Sequence, residues 1–377
     1  MRVLVLNPGS SSLKYHLRET AGSQSVTAVL HSGQLEWTGN QEDRAGKVRA
    51  LLQELEQRHR RPDAIGHRVV HGGDRFTAPQ PVSSDVISTI RSLGTLAPLH
   101  NPSSAECMEA AADIWPGLPQ VAVFDTSFHR SVPDFASRYA VPEDSYTEHP
   151  IRRYGFHGIS VELACRDAEG FLNKAGGSLN AVVAHIGNGA SVTAVKAGRS
   201  IDTSMGMTPM EGLVMGTRAG DLDPALVLLM LGSGATTADV DHLLNHQSGL
   251  LALAGTADMR RIEAAFHRGH HGAVLAVKMA TYRLAKYIAA YSMAVGDLDA
   301  LVFTGGIGEN SALYRASTLA WLRALGYAVD EDANGTGGPE IRTVSAASSR
   351  VPVLVIPSDE ERAIAEATAS LLESDTK

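Results

Sequence analysis

Apolar residues along the chain fall into short runs and alternations, most of them closed by glycine, proline or small polar residues. Residues 2–6 form a buried-strand run that stops at Asn7-Pro8-Gly9. Leu13, Tyr15 and Leu17 then alternate with Lys14, His16 and Arg18, the two-residue period of a half-buried strand. A helical pattern over 45–60 leads to a strand over 64–70, closed by Gly72-Gly73. A short strand over 121–124 ends at Asp125. Between Pro133 and Pro150 the chain is rich in Pro, Asp, Glu and Tyr and lacks a period, as expected of a connection between domains. Residues 181–186 read as a strand. Gly187-Asn188-Gly189 and an alternating run over 191–195 follow it. A long apolar helical pattern over 272–294 precedes a strand over 301–303 that enters the glycine-rich stretch 304–310. A last strand over 351–356 leads to Ser358-Asp359-Glu360-Glu361, which fits a helix capping box with Ser358 as the cap.

The segments VLVLNPGSSSLKYHL and VVAHIGNGASVTAVK are both strand, small-residue turn, strand. They suggest an internal duplication with one hairpin in each of two related domains, although strand–glycine–strand units also recur by chance. Alternating strands and helices make the class α/β, and 377 residues suit two domains. With 44% hydrophobic and 20% charged residues, the chain can bury a large core. A formal charge of −8 argues against broad nucleic-acid binding and requires local Arg and Lys to attract any anionic substrate. Two cysteines, Cys107 and Cys165, make no disulfide framework or CxxC motif. The opening apolar run is too short for a signal peptide, and no apolar stretch reaches membrane-spanning length. A reducing, cytoplasmic location is the expectation, with no membrane or nucleic-acid partner.

Three glycine-rich turns follow apolar strands, at 7–12, 187–191 and 305–310. Small residues let backbone N–H groups approach phosphate oxygens closely. One such turn is better explained as an ordinary tight turn; three at strand ends favour a nucleotide site. There is no G-x-x-x-x-G-K-[ST], no third glycine after Gly187-Asn188-Gly189, where Val192 stands, and no H-R-D with D-F-G set. Walker-type ATPases, nicotinamide-dinucleotide enzymes and protein kinases are thereby disfavoured. Polar residues stand at other strand ends and loops: Arg68 in GHRVVHGG, His100 in LAPLHNP, Asp125 in VFDTSFH, His157 in YGFHG and Arg218 in MGTRAGD. Each has a bland reading taken singly: a surface ion pair for Arg68, satisfied histidines for His100 and His157, a turn for Asp125, and neutralisation of Asp221 for Arg218. His67 and His71 lie four apart without a carboxylate at metal-site spacing.

Taken together and in order, NPGSSSLKY, GHRVVHGG, LAPLHNP, VFDTSFH, RRYGFHG, HIGNGAS, DTSMGMTPMEGLVMGTRAGDLDP, FTGGIGENS and IPSDEE resemble the acetokinase family, the acetate and propionate kinases of the actin and sugar-kinase superfamily. The resemblance runs from Met1 to about Ser370. It implies two ribonuclease-H-like, actin-like ATPase domains with the active cleft between them. One would be 1–130 plus 361–377 and the other 131–360, with the boundary between 130 and 150. It also implies a homodimer, and phosphoryl transfer between ATP/ADP and acetate/acetyl phosphate with Mg2+, or Mn2+ in its place. Carried over by motif, Asn7 and Glu360 match magnesium-associated positions, and Lys14 a nucleotide-contacting lysine. His185, Ile186, Gly187, Asn188 and Gly189 match the first ATP loop, Asp258, Met259 and Arg260 the second, and Gly306, Ile307, Gly308, Glu309 and Asn310 the third. Arg68 matches the substrate arginine, with His100 beside it. Asp125 matches an acid/base or metal-organising aspartate, and His157 and Arg218 the transition-state stabilisers. Val70, Leu99, Phe156 and Pro209 match the apolar pocket for the acyl methyl. Because acetate is already ionised at neutral pH, organising magnesium or water suits Asp125 better than general-base work.

The chain departs from the family's usual pattern at Ile159-Ser160-Val161, where Thr-Ser-His is common. It departs again at Met259, usually aromatic, and at Met210, more often Leu. These bear on how His157 is held, on nucleotide packing and on acyl preference. A propionate or other short-chain carboxylate kinase is the near alternative. A non-catalytic actin-like ATP sensor would keep the glycine turns but has no need of Arg68, Arg218 and a small apolar pocket.

Overall fold

The computed structural model describes residues 1–9, 12–20, 28–37, 41–59, 61–142 and 150–374. Two six-stranded sheets organise it. The first contains β1 (Arg2–Pro8), β2 (Ser12–Glu19), β3 (Ala28–Glu36), β4 (Ala64–Val69), β5 (Gln80–Pro81) and β6 (Gln120–Phe124), in the order β3-β2-β1-β4-β6-β5. The second contains β7 (Ala181–Ile186), β8 (Ala190–Lys196), β9 (Arg199–Thr203), β10 (Ala300–Thr304), β11 (Arg342–Thr343) and β12 (Val353–Val355), in the order β11-β12-β10-β7-β8-β9. Both read the same way. An antiparallel three-stranded ribbon is followed by two strands parallel to its first member, and a short antiparallel edge strand closes the sheet. The hairpin similarity read from the sequence is therefore a duplication of whole-sheet topology.

Strand parity divides the first sheet's residues between two cores. Leu4 and Leu6 face one side, where Leu13, Leu17 and Ile65 meet Val48, Leu51, Leu52 and Leu55 of the helix Gln41–Arg58, and Trp115. Val3 and Val5 face the other, where Val121 and Val123 meet Ile364 of the C-terminal helix Glu360–Ser374 and Ile159 and Leu163 of the helix Gly158–Phe171. Gly66 on β4 is where the C-terminal helix comes closest: a Cβ there would lie 2.5 Å from Thr368 Oγ1. The helix Gly158–Phe171 turns its other side, Val161, Ala164, Cys165 and Ala168, to Ala181, Val183, Ala300 and Val302 of the second sheet. It is thus packed between the two sheets. The long helix His271–Val295 covers the opposite face of the second sheet, with Val277, Leu284 and Ile288 against Val182, Ala184, Leu301 and Phe303.

Several expected elements shift. β1 continues to Pro8, the first helix spans Gln41–Arg58, and the last strand shortens to Val353–Val355. The stretch read as a third glycine-rich turn is a helix, Gly305–Asn310. Ser358 is not the cap of the final helix. Asp359 Oδ1 accepts from Arg362 N at 3.0 Å, while Ser358 gives both its N–H and its hydroxyl to Glu309 Oε1. The unpatterned stretch near 133–150 holds a short helix, Asp134–Ser137, and a bridge between Arg138 and Arg152; residues 143–149 lie outside the described residues. No helix among the described residues is long and apolar enough to cross a membrane.

Candidate active site

Parallel strands place their loop-side residues at a common edge, where ligands of α/β sheets collect. β1, β4 and β6 bring Asn7, Arg68 and Asp125 to such an edge. Arg68 grips Asp125 with a bidentate fork, Nε to Oδ1 at 3.1 Å and Nη2 to Oδ2 at 2.6 Å. Its third nitrogen, Nη1, donates to Asn7 Oδ1 at 3.2 Å and lies 3.6 Å from Glu360 Oε2. The Asn7 amide donates in turn to Glu360 at 3.3 Å and Glu361 at 2.9 Å, so the start of the C-terminal helix completes the cluster. Burial pushes the Asp125 carboxyl up, and the Arg68 guanidinium opposes that shift. For Glu360, burial also works against ionisation. Arg68, His185, Asn7 and Lys14 outweigh it and hold the carboxyl below its ordinary range. Lys14 itself is exposed, opposite Asn7 in the β1–β2 register.

His157 stands immediately before the helix Gly158–Phe171 with φ 60°, the left-handed region, which costs a non-glycine residue about 1 kcal/mol. Contacts on both sides hold that backbone, and its own N–H donates to the Asp125 carboxyl. Gly158 N–H donates to Asp125 O at 2.9 Å, and His129 Nε2 donates to Phe156 O at 3.0 Å. The His157 ring stacks on His185, centroids 4.4 Å apart, and its Nδ1 meets Ser191 Oγ at 3.0 Å. His185 Nδ1 meets Ser160 Oγ at 2.9 Å. Ile159 and Val161, the two unusual residues after His157, serve the cores, and Ser160 between them holds His185. Burial keeps His157 well below its ordinary pKa, helped by His185, Arg68 and Arg218. Burial, Arg68 and Arg218 likewise take His100 down to about 4. Both imidazoles are neutral at physiological pH.

Arg218 Nη1 donates to Pro209 O at 2.5 Å. It does not neutralise Asp221, whose two oxygens accept from Gly212 N and Tyr287 Oη. Gly189 marks where Arg218 and His157 converge: a Cβ on it would lie 3.2 Å from Arg218 Nη2 and 3.3 Å from His157 Nε2. Val70 and Phe156 are buried in one cluster with Ala97, which sequence reasoning did not single out. Pro209 is half-buried, and Leu99 is 41% exposed, outside that cluster.

Residues from each of the three matched ATP loops line one cleft of about 320 Å³: Asn188 of the first, Asp258, Met259 and Arg260 of the second, and Gly306, Ile307 and Asn310 of the third, with Ala257, Glu263 and Ser311 beside them; His185, Ile186, Gly187, Gly189, Gly308 and Glu309 do not line it. Ile186 ends β7, and the turn closes with Gly187 N donating to Gly189 O at 3.0 Å. Gly305, at φ 79°, passes so near that turn that a Cβ would lie 2.9 Å from Ile186 O. Asp258 caps the helix Met259–His267 and pairs with the exposed Arg260, while Met259 is buried. Gly308 and Glu309 offer carbonyls to the fully buried Arg315, each at 2.9 Å. Arg315 has no motif to announce it. Its bonds to Asn334 O and Oδ1 anchor the loop from below, and burial lowers it to about 10.

The family model described as the acetokinase family matches residues 2–366. An acetate kinase of Arthrobacter sp. (strain FB24) is 49% identical over 385 residues, covering 99% of this chain and 100% of the relative. The crystal structure of a propionate kinase from Francisella tularensis subsp. tularensis SCHU S4 superposes with a TM-score of 0.86 at 38% identity, covering 97% of this chain and 98% of that one. That of Porphyromonas gingivalis acetate kinase gives 0.85 at 37%, covering 98% and 99%.

Replacing Arg68 with Met leaves Asp125 buried without its cation, and a broken buried pair costs about 3–5 kcal/mol. Burial then meets only the His157 backbone N–H in opposition and raises the Asp125 carboxyl further. A group with a raised folded pKa favours the folded state at low pH and loses that contribution as pH rises through the folded pKa. The stability deficit of Arg68→Met relative to the native chain should therefore be smaller at pH 5 than at pH 8. Urea denaturation at the two pH values measures it. An equal deficit at both would show that Asp125 does not respond to the lost cation.

Proposed function

The chain belongs to the acetokinase family and is therefore a phosphotransferase with a carboxyl group as acceptor; we propose that the acceptor is acetate and the donor ATP. What supports this reading best is the convergence of two neighbouring clusters. Residues of all three nucleotide loops line one cleft, and Arg218, His157 and Gly189 meet beside the Arg68–Asp125 pair. We read 1–130 with 361–377 as the acceptor and cation side, and 131–360 as the nucleotide side.

The acetate oxygen bonds to the γ-phosphorus as the bond to the β,γ-bridging oxygen breaks, and the electron pair leaves with ADP. No proton moves, because acetate is ionised at neutral pH. Protein groups position the partners and neutralise charge on the transferring phosphoryl group. Arg68 orients the acceptor, and Arg218, whose side chain makes one bond among the described residues, to a carbonyl, keeps donors for the phosphoryl oxygens. His157 contributes a neutral donor. Val70 and Phe156 wall the acyl methyl.

The donor set also suits magnesium. Asp125, Glu360 and Glu361 all interact with the single guanidinium of Arg68, which leaves net negative charge at the strand ends. No group of three or more His, Cys, Asp or Glu among the described residues is arranged to hold a metal by itself. Magnesium needs only one or two carboxylates when phosphates and water fill its other positions. Asn7, Glu360 and Asp125 would hold it, and when bound it would neutralise charge on the β- and γ-phosphates. We also read the protein as a cytoplasmic homodimer. The helix Pro224–Gly232, PALVLLMLG, has no buried residue and exposes Leu228 and Leu229, as a subunit interface would. Light scattering that returned a monomer mass would remove that part.

Purified protein with MgATP should yield hydroxylamine-trapped acyl phosphate from acetate. Folded protein that makes no hydroxamate from acetate, propionate or butyrate would sink the kinase reading. Arg218→Ala should lower kcat about 10²–10³-fold, with a much smaller change in the KM for acetate. A raised KM at near-normal kcat would instead make Arg218 a ground-state binder. Val70→Ala removes two methyl carbons beside the acyl group. At about 0.8 kcal/mol per methylene, the propionate-to-acetate ratio of kcat/KM should rise several-fold. A stable variant with an unchanged ratio would place Val70 outside the acyl pocket.

A further inference from the structure

Three histidines meet a serine hydroxyl through the same ring nitrogen. Nδ1 of His129 faces Ser200 Oγ at 2.9 Å, Nδ1 of His185 faces Ser160 Oγ at 2.9 Å, and Nδ1 of His157 faces Ser191 Oγ at 3.0 Å. In the first pair the tautomer follows from the other nitrogen. Nε2 lies 3.0 Å from the Phe156 carbonyl, which can only accept, so Nε2 carries the proton and Nδ1 takes the Ser200 hydroxyl.

The same accounting applies to His157. Ser191 is wholly buried on β8, and among the described residues the His157 ring is the one hydrogen-bond partner of its hydroxyl. A buried hydroxyl that donates to nothing costs about 1–3 kcal/mol. Ser191 therefore donates, Nδ1 accepts, and the ring's single proton sits on Nε2. That nitrogen points to the space beside Gly189 that Arg218 Nη2 also faces.

We propose that Ser191 is a positioning residue that fixes the tautomer of His157, so that Nε2–H is aimed as a neutral donor at the oxygens of the transferring phosphoryl group. The tautomer decides the sign of the interaction. With the proton on Nδ1, the Nε2 lone pair would face those oxygens and repel them; with it on Nε2, the ring attracts them. Because Nδ1 accepts from Ser191 it carries no proton, so the ring is neutral. The identity of the oxygens rests on the carboxylate-kinase reading; the tautomer does not.

Long-range ¹H–¹⁵N correlation on the ¹⁵N-histidine-labelled full chain at neutral pH reads the tautomer directly, with His157 assigned through loss of its signals in His157→Gln. The native protein should show the Nε2–H form. Ser191→Ala should give a mixed population, with kcat reduced about 10–100-fold, as when a supporting hydrogen bond is lost, and KM for acetate and MgATP nearly unchanged. Ser191→Thr, which restores the hydroxyl, should recover the Nε2–H form and most of kcat. An Nδ1–H or imidazolium form in the native protein would overturn the proposal. So would a Ser191→Ala variant with an unaltered tautomer, or one whose tautomer mixes without loss of kcat. A native protein with no kinase activity would sink the reading of the reaction and leave the tautomer to the spectrum.

Discussion

A single guanidinium at the end of β4 is shared by carboxylates from two distant parts of the chain. Arg68 is bound through two nitrogens to Asp125 and lies within ion-pair distance of Glu360. Such a buried cluster is a poor source of stability, because desolvating the charges cancels much of their attraction. The stability must come from the apolar faces around it, above all from the C-terminal helix pressed onto Val3, Val5, Val121 and Val123. The first sheet and that helix are, in effect, a frame that keeps one cation and an excess of carboxylate at a fixed place. The excess is what makes the place suit a second cation. Burial pushes the Asp125 carboxyl up there, and the fork of Arg68 opposes that push.

Much of this frame was legible in the sequence because it depends on local period. Alternation over Leu13, Tyr15 and Leu17 and the apolar run over 181–186 correspond to β2 and β7, and the two hairpins belong to sheets of the same topology. The misreadings have tertiary causes. Gly305–Asn310 holds three glycines, which favour a turn on propensity, yet it is helical; Arg315 gathers the carbonyls of Gly308 and Glu309 from a later part of the chain. Ser358 and Asp359 are both good capping residues, and their neighbours decide between them. Glu309 takes Ser358, and Asp359 is left to cap while pairing with Arg18 at 2.6 Å.

The site divides along the same line. Asn7, Arg68, Asp125, His157 and Arg218 were visible as polar residues at strand ends and in glycine-rich loops, and long motifs tied them together. Ser160, Ser191, Ala97 and Arg315 were not, because a buried serine or arginine gains its meaning only from what lies opposite. Ser191 faces His157 because the β7–β8 register pairs it with His185, whose ring stacks on that of His157. No spacing along the chain encodes that relation.

The helix Gly158–Phe171 explains why this geometry is held by the fold and does not depend on a loop. Ile159 and Leu163 lie in the core of the first sheet, and Val161, Ala164, Cys165 and Ala168 in that of the second, so the helix cannot follow one sheet alone. Its first N–H groups belong to the positive end of a helix dipole, and one of them is already spent on Asp125 O. His157, at that end, is fastened to the first sheet through its backbone and to the second through Ser191. A rotation of one sheet against the other would have to break one of these attachments or carry the imidazole away from Arg218. The separation of His157 Nε2 and Arg218 Nη2 beside Gly189 is thus a property of how the two halves pack. That places the control of this geometry in the hydrophobic contacts of a single helix.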